Sequence, residues 1–467
     1  MTVNPLIFRA YDIRGIAQAT EKFPNVDLTP ETVKLIGKGT GTYLQKISGP
    51  NVVVGRDNRL HSPDLQKAFI EGLVETGCNV TNIGISPSPM VYYAVCKYGF
   101  DGGINITASH NPKEYNGIKI VAKNAHSICG DELQEILKLI QNNEFKEGEG
   151  SYEDKEVFED YKNDIAALVT LPKPLKVVVD AGNGTAGEYA PDLLRTLGCE
   201  VVELYCELDG NFPNHEANPE ELENMLDLIE KVKETNADIG IGFDGDSDRV
   251  GIVDETGHHY SADYLLLLLA RDLLSRMPGS KIVFDVKVTQ TLIADIKKHG
   301  GEPVMSKTGH SFIESKMKEI GAPLAGEVSG HLFFAENYYG FDDAFLGAAK
   351  LLEILSKSDK PFSKLFDDVP HTFTTPEFKA HCPDNKKFEI VDKLSKHFTE
   401  NYDCLAIDGV RINFSPSAWG AVRCSNTSPN LTLRFEAESE EKLKEIQAIM
   451  VEQLKQYPEV SLDWYKY

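Results

Sequence analysis

The chain has 467 residues and a formal net charge of −24. An acidic surface repels nucleic acid and anionic lipid headgroups, which excludes a general nucleic-acid binder and a membrane-surface binder. The apolar fraction of 41% is that of a folded globular protein, and the longest obvious apolar run, Leu265 to Ala270, falls far short of the roughly 20 residues of a membrane span.

In chain order, Met1 to Gly15 lacks a basic patch followed by an apolar core and does not read as a signal peptide. Thr29 and Pro30 carry the signals of a helix start. Val52 to Gly55 reads as a short strand. Ser62 then reads as an N-cap, with Pro63 in the first helical position and Gly77 as the stop. Strand and helix signals alternate in this way to about residue 370, which predicts α/β units with largely parallel sheets. A faint threefold echo runs through the region. An apolar strand ends in polar loop residues at VVVGRDN (52–58), VVVDAGNG (177–184) and IVFDVKVT (282–289), each followed by a helical segment. A second strand-to-loop junction follows at 103–112, 237–249 and 322–331. Open α/β sheets bind ligands at the carboxyl ends of their strands, so these junctions predict functional loops.

Beyond about residue 370 the texture changes. Segments 371–382, 409–415, 420–426 and 430–437 predict short antiparallel strands, and a final helix carries Leu443, Ile446, Met450 and Leu454 on one stripe. That is a smaller α+β domain, with Pro361 and Pro370 marking its approach as a hinge. The eight cysteines are scattered without a CxxC pair and read as reduced thiols of a cytoplasmic protein.

Four loops carry chemistry. Asp244, Asp246 and Asp248 alternate with Gly245 and Ser247 between two apolar runs and are followed by Arg249. Carboxylates so spaced can converge on one hard cation such as Mg²⁺. An EF-hand requires Gly where Arg249 stands, and a loop where a strand pattern follows. Thr107-Ala108-Ser109-His110-Asn111-Pro112 taken alone reads as a turn. Its Ser-His pair lacks the flanking glycines of a hydrolase elbow. Gly326-Glu327-Val328-Ser329-Gly330-His331 offers a carboxylate, a hydroxyl and an imidazole suited to sugar hydroxyls. Arg423-Cys424-Ser425-Asn426-Thr427-Ser428-Pro429 offers a guanidinium and small donors suited to a phosphate. His258 and His259 read as surface, and the Asp180–Asn183 loop as structural.

TASHNP, DGDSDR, GEVSGH and RCSNTSP, in this order and at these distances, resemble the four signature loops of the α-D-phosphohexomutase superfamily. FRAYDIRG (8–15), EYNGIKIV (114–121), FDVKVTQ (284–290), KTGHSFIESKMKE (307–319) and GFDDAFLGAAKLLEIL (340–355) extend the resemblance over essentially the whole chain. Within the superfamily it is most similar to the phosphomannomutase/phosphoglucomutase family. The resemblance implies an α/β fold of three similar mixed or parallel-sheet domains and a smaller C-terminal α+β domain around a central cleft. Their expected spans are 1–153, 154–257, 258–369 and 370–467.

The implied activity is interconversion of hexose 1-phosphate and hexose 6-phosphate, with mannose or glucose as the sugar. Ser109 would carry a phosphoryl group, with His110 beside it. Asp244, Asp246 and Asp248, with an oxygen on Ser109, would hold Mg²⁺. Lys119, Arg249, Arg14 and Tyr11 would line the same place. His310, His331 and Lys287 would orient the sugar or transfer its proton. Glu327 and Ser329 would hold O3 and O4, and Arg423, Ser425, Asn426 and Thr427 the phosphate that is not moving. Hexose 1,6-bisphosphate is the implied activator. The expected partners are phosphosugars alone, without nucleic acid or membrane, in a monomer or weak dimer. Val328 stands where many dual-specificity relatives have Met, which leaves the choice of sugar open. A phosphosugar-binding protein and a metal-dependent phosphatase are the rival readings.

Overall fold

The structure is a computed structural model that describes residues 3–425 and 428–465. The helix Pro30–Ile47 begins as expected: the Thr29 side chain accepts the Thr32 N–H, and Pro30 lies in the first turn, where no donor is needed. The helix Ser62–Glu75 corrects the reading of Ser62. His61 is the cap, Ser62 is already helical, and its hydroxyl donates to Asp57.

In the first domain the strands Ile13–Ile16, Tyr115–Ala122, Gly102–Ile106, Asn51–Arg56, Asn79–Ile85 and Tyr152–Asp154 lie side by side in that order. The last four are mutually parallel, whereas Tyr115–Ala122 returns antiparallel to Gly102–Ile106. Val52, Val54 and Ile104 of the sheet pack on Ile36, Leu44, Ile136 and Ile140 of the helices. The second domain repeats the plan. Glu200–Leu204, Lys176–Asp180 and Ile239–Phe243 are parallel, and Val250–Asp254 returns antiparallel to Ile239–Phe243. In both sheets the parallel run therefore ends in a strand that turns back on itself. The turning loops are 107–114 and 244–249, the two loops that carry Ser109 and the three aspartates. In the third, Glu302–Ser306, Lys281–Asp285 and Leu324–Gly326 are parallel, and residues 327–331 follow the last of them.

The C-terminal segment is antiparallel, with Asn430–Ala437, Ala418–Cys424, Val410–Ser415 and Asp403–Leu405 in order. The last of these strands and the helix Asp384–Asn401 were not read from the sequence. The final helix Glu440–Leu454 buries Ile446, Met450 and Leu454 as its stripe predicted, with Leu443 partly buried on the same core.

By internal contacts the chain forms two compact units. One takes the chain up to Leu269 together with Ser329–Leu365, the other Ala270–Val328 together with the chain from Phe366. The division falls inside the GEVSGH loop and at Leu365. No helix among the described residues is long and apolar enough to cross a membrane. Leu265 to Ala270 is buried within the helix Ala262–Arg276. All eight cysteines are free thiols.

Candidate active site

In the first unit Ser109 follows the strand Gly102–Ile106 and is 1% exposed. Its φ of 53° puts a non-glycine residue in the left-handed region, a conformation that persists only where surrounding contacts hold it. The hydroxyl donates to Asp244 Oδ2 at 2.6 Å, and His110 Nδ1 lies 3.1 Å from the Ser109 Oγ. Arg14 reaches this loop as expected. Its Nη1 donates to the Ala108 carbonyl and to Asn111 Oδ1, while Nε is paired with Asp12 at 2.7 Å. Tyr11 is half-buried two residues from Ile13. A cavity of about 240 Å³ opens beside Ser109, walled in part by His110, Lys113, Phe212 and Glu216.

The three aspartates are fully buried. Each offers an oxygen lying within 4.8 Å of the others. Asp244 Oδ1 accepts the backbone N–H groups of Asp248 and Arg249 at 3.0 and 3.2 Å, which curls the loop round its first carboxylate. Asp246 Oδ2 accepts from the Ser88 hydroxyl at 2.6 Å, and Ser88 is itself held by Asn105. Gly245 is required by close approach, because a Cβ there would lie 2.4 Å from the Ser109 carbonyl oxygen. Thr185, just after the Asp180–Asn183 loop, donates to the Gly245 carbonyl and bonds Ser247.

Lys119 lies opposite Asn105 across the sheet and ion-pairs with both Asp246 and Asp248. Burial opposes its charge, but the two carboxylates outweigh that and hold its pKa well above the ordinary lysine value. Burial also pushes the Asp244 carboxyl well above the ordinary range, helped by Asp248 and Asp246. Burial acts the same way on Asp248, yet Lys119 and Arg249 hold it below that range. Asp246 Oδ1 and Asp248 Oδ1 are buried with no hydrogen-bond partner among the described residues. Buried carboxylate oxygens left without donors, on a site short of positive charge, fit a hard divalent cation.

Arg249 and His331 meet here too. Arg249 Nε donates to His331 Nε2 at 3.0 Å, so the ring carries its proton on Nδ1, 2.6 Å from Asp342 Oδ2. The His331 segment is anchored by the Gly330 carbonyl, which accepts the Val250 N–H. Ser329 is half-buried on the same segment. Asp342, Ser88 and Arg59 were missed from the sequence. Each lies outside the signature loops, although Asp342 falls within GFDDAFLGAAKLLEIL and Arg59 directly follows VVVGRDN.

The second unit holds the remaining expected residues. Lys287 follows the strand Lys281–Asp285 and ion-pairs with Glu377. His310 opens the helix His310–Ile320, and the preceding Gly309 N–H donates to Glu327 Oε1 at 2.6 Å. Arg423 Nε is held by Asp408 Oδ2 at 2.6 Å, and Asp408 also accepts the Thr308 N–H. Ser425 bonds Ser428, and the buried Lys387 ammonium grips both of their carbonyls. Asn426 and Thr427 lie outside the described residues. Cys424 is no nucleophile, since burial pushes its thiol up to about 12.

Two measurements follow from the aspartate site. Outer partners of metal ligands typically set affinity by about 10–100-fold, so Ser88→Ala should weaken binding of Mg²⁺ or Mn²⁺ by that factor in a calorimetric titration. Asp244 binds its proton more tightly folded than unfolded. Its contribution to stability is thus present below the ordinary carboxylate pKa and lost as pH rises through the elevated folded value. A cation replaces that proton, so Mg²⁺ should raise the melting temperature more at about pH 8 than at about pH 5.

Four family models match in sequence order. They are described as phosphoglucomutase/phosphomannomutase alpha/beta/alpha domain I at residues 5–147, domain II at 156–257, domain III at 261–373 and the C-terminal domain at 377–453. The chain is 46% identical over 456 residues to a phosphomannomutase/phosphoglucomutase of Pseudomonas aeruginosa, covering 97% of this chain and 96% of that one. It is 41% identical over 446 residues to a phosphoglucomutase of Neisseria gonorrhoeae, covering 94% and 95%. The crystal structure of a phosphoglucomutase/phosphomannomutase family protein from Burkholderia thailandensis superposes with a TM-score of 0.90 at 41% identity, covering 97% of this chain and 98% of that one. On all four domains, and in near full-length identity, this chain belongs to the phosphoglucomutase/phosphomannomutase family of mutase enzymes.

Proposed function

We propose that the enzyme interconverts hexose 1-phosphate and hexose 6-phosphate of both mannose and glucose, carrying a phosphoryl group on Ser109 and passing through hexose 1,6-bisphosphate. The observation that carries the reading is the Ser109 hydroxyl bonded to Asp244, the first carboxylate of a buried triad whose other two members each keep a carboxylate oxygen without a hydrogen bond among the described residues. A binding protein has no use for such a pair, and the relatives' names supply the two sugars.

In the cycle, the free hydroxyl of the sugar phosphate attacks phosphorus on Ser109. The new O–P bond forms, the Ser109 Oγ–P bond breaks, and the hydroxyl proton leaves to a base. The bisphosphate then reorients, and its other phosphoryl returns to Ser109. Such a transition state needs positioning and charge stabilisation more than covalent help. Asp244, Asp246 and Asp248 would hold Mg²⁺, which when bound supplies positive charge for the transferring phosphoryl. Lys119, kept protonated by its two carboxylates, adds a fixed positive charge and donor. His331 accepts from Arg249 while donating to Asp342, and so acts as the group that aims Arg249. His310 and Lys287 remain the candidate proton-transfer groups near the sugar. Glu327 and Ser329 hold O3 and O4, and the Arg423 loop holds the phosphate at rest.

Mannose and glucose differ only at C2, and a pocket that grips O3 and O4 rejects the epimer weakly. Glucose 1-phosphate and mannose 1-phosphate should therefore both turn over in parallel assays with Mg²⁺ and catalytic bisphosphate, with specificity constants differing by less than about 10⁴-fold. A larger ratio would contradict the shared pocket, and no turnover of either sugar would contradict the function.

A further inference from the structure

Arg59 has no role in the cycle above, yet it is the most fully committed side chain around Ser109. It is 1% exposed. Its Nε donates to Asp57 Oδ2 at 3.1 Å. Nη1 donates to the carbonyls of Pro112 and Tyr115 at 2.8 and 3.2 Å, and Nη2 to those of Ser109 and Asn111 at 2.8 and 2.6 Å. A guanidinium has five N–H donors in a planar fork, and these bonds use them all. Four of the five acceptors are main-chain carbonyls, three on the loop 107–114 and one on Tyr115, the first residue of the strand that follows it. Asp57 is braced in turn by the Ser62 hydroxyl and by the Arg59 backbone N–H. The Phe212 ring, from the second domain, covers the guanidinium at 5.0 Å.

We infer that Arg59 is a positioning residue, which fixes the loop 109–115 so that the Ser109 hydroxyl meets Asp244. The inference rests on Ser109 being the phosphoryl carrier. The Ser109 carbonyl is the pivot. Arg59 Nη2 holds it on one side, and the backbone of Gly245, with no room for a Cβ, closes on it from another. Between them these contacts set how near the nucleophile loop comes to the aspartate loop. They also hold Ser109 in its left-handed conformation, which a serine abandons when unsupported. With its Nε spent on Asp57 and its other four donors on carbonyls of residues 109–115, Arg59 cannot bind a substrate phosphate, so its effect belongs in the chemical step and not in binding. Lysine keeps the charge but has a compact ammonium in place of the fork, so it cannot span four carbonyls.

The test compares Arg59→Lys with the wild type, each shown to be folded by its thermal transition. kcat and KM for glucose 1-phosphate are measured, and so is the single-turnover rate of Ser109 phosphorylation by glucose 1,6-bisphosphate, followed by intact mass. A misplacement of this kind should lower kcat about 100-fold, slow phosphorylation in proportion, and leave KM within about threefold. A folded Arg59→Lys with kcat within about twofold of the wild type, or with its loss confined to KM, overturns the inference. If Arg59→Lys does not fold, Gly245→Ala displaces the same carbonyl from the other side and should show the same kcat loss. An unchanged kcat there overturns the inference as well. A wild type without mutase turnover sinks the proposed function itself, whereas an active wild type with an indifferent Arg59→Lys sinks only the role of Arg59.

Discussion

Three carboxylates brought within 4.8 Å of one another, away from water, repel. At an effective dielectric of about 20 each like-charged pair at that spacing costs about 3–4 kcal/mol. Much of the first unit can be understood as an answer to that repulsion. Lys119 is drawn in from the neighbouring sheet to ion-pair with two of the acids, Ser88 donates to one of them, and the backbone N–H groups of Asp248 and Arg249 satisfy Asp244. The answer is incomplete, because one oxygen each on Asp246 and Asp248 keeps no donor among the described residues. A divalent metal held by the triad would complete it. The same constraint explains how a chain with a net charge of −24 handles anionic sugars: positive charge is local, built from buried Arg14, Arg59 and Lys119 and from the partly buried Arg249.

The fold delivers these groups by one device used more than once. A parallel sheet ends in a strand that turns back antiparallel, and the turning loop carries candidate site residues. Ser109 stands on that loop in the first domain and the aspartates on its counterpart in the second. Because both loops leave the ends of sheet strands, their backbones are fixed by the ladders beneath them, and side chains such as Lys119 can be aimed by strand register. His331 illustrates the next layer. Pinned between Arg249 and Asp342, it is oriented by its neighbours on both nitrogens.

How much of this was legible in the sequence depended on the range of the interaction. The repeated α/β units, the Thr29 cap and the apolar stripe of the last helix are local patterns, and the structure carries them as read. Ser62 was misread because a hydroxyl before a proline looks like a cap, whereas Asp57 captures it through a tertiary bond. Arg59, Ser88, Asp342 and Lys387 were invisible for a related reason. Each acts on a loop distant in sequence, through carbonyls or carboxylates that no spacing rule reveals. The helix Asp384–Asn401 was overlooked because its mostly polar sequence buries only a narrow stripe, Ile390, Val391, Leu394 and Phe398, against the C-terminal sheet.

The central claim is that Ser109 carries the phosphoryl group. It is tested most directly by incubating the protein with phosphoryl-labelled glucose 1,6-bisphosphate, recording the intact mass, and mapping the label to a peptide. The account expects one phosphoryl group on Ser109, discharged when either hexose 1-phosphate or hexose 6-phosphate is added. Steady turnover with the label on another residue, or with no label on the protein at all, would contradict it.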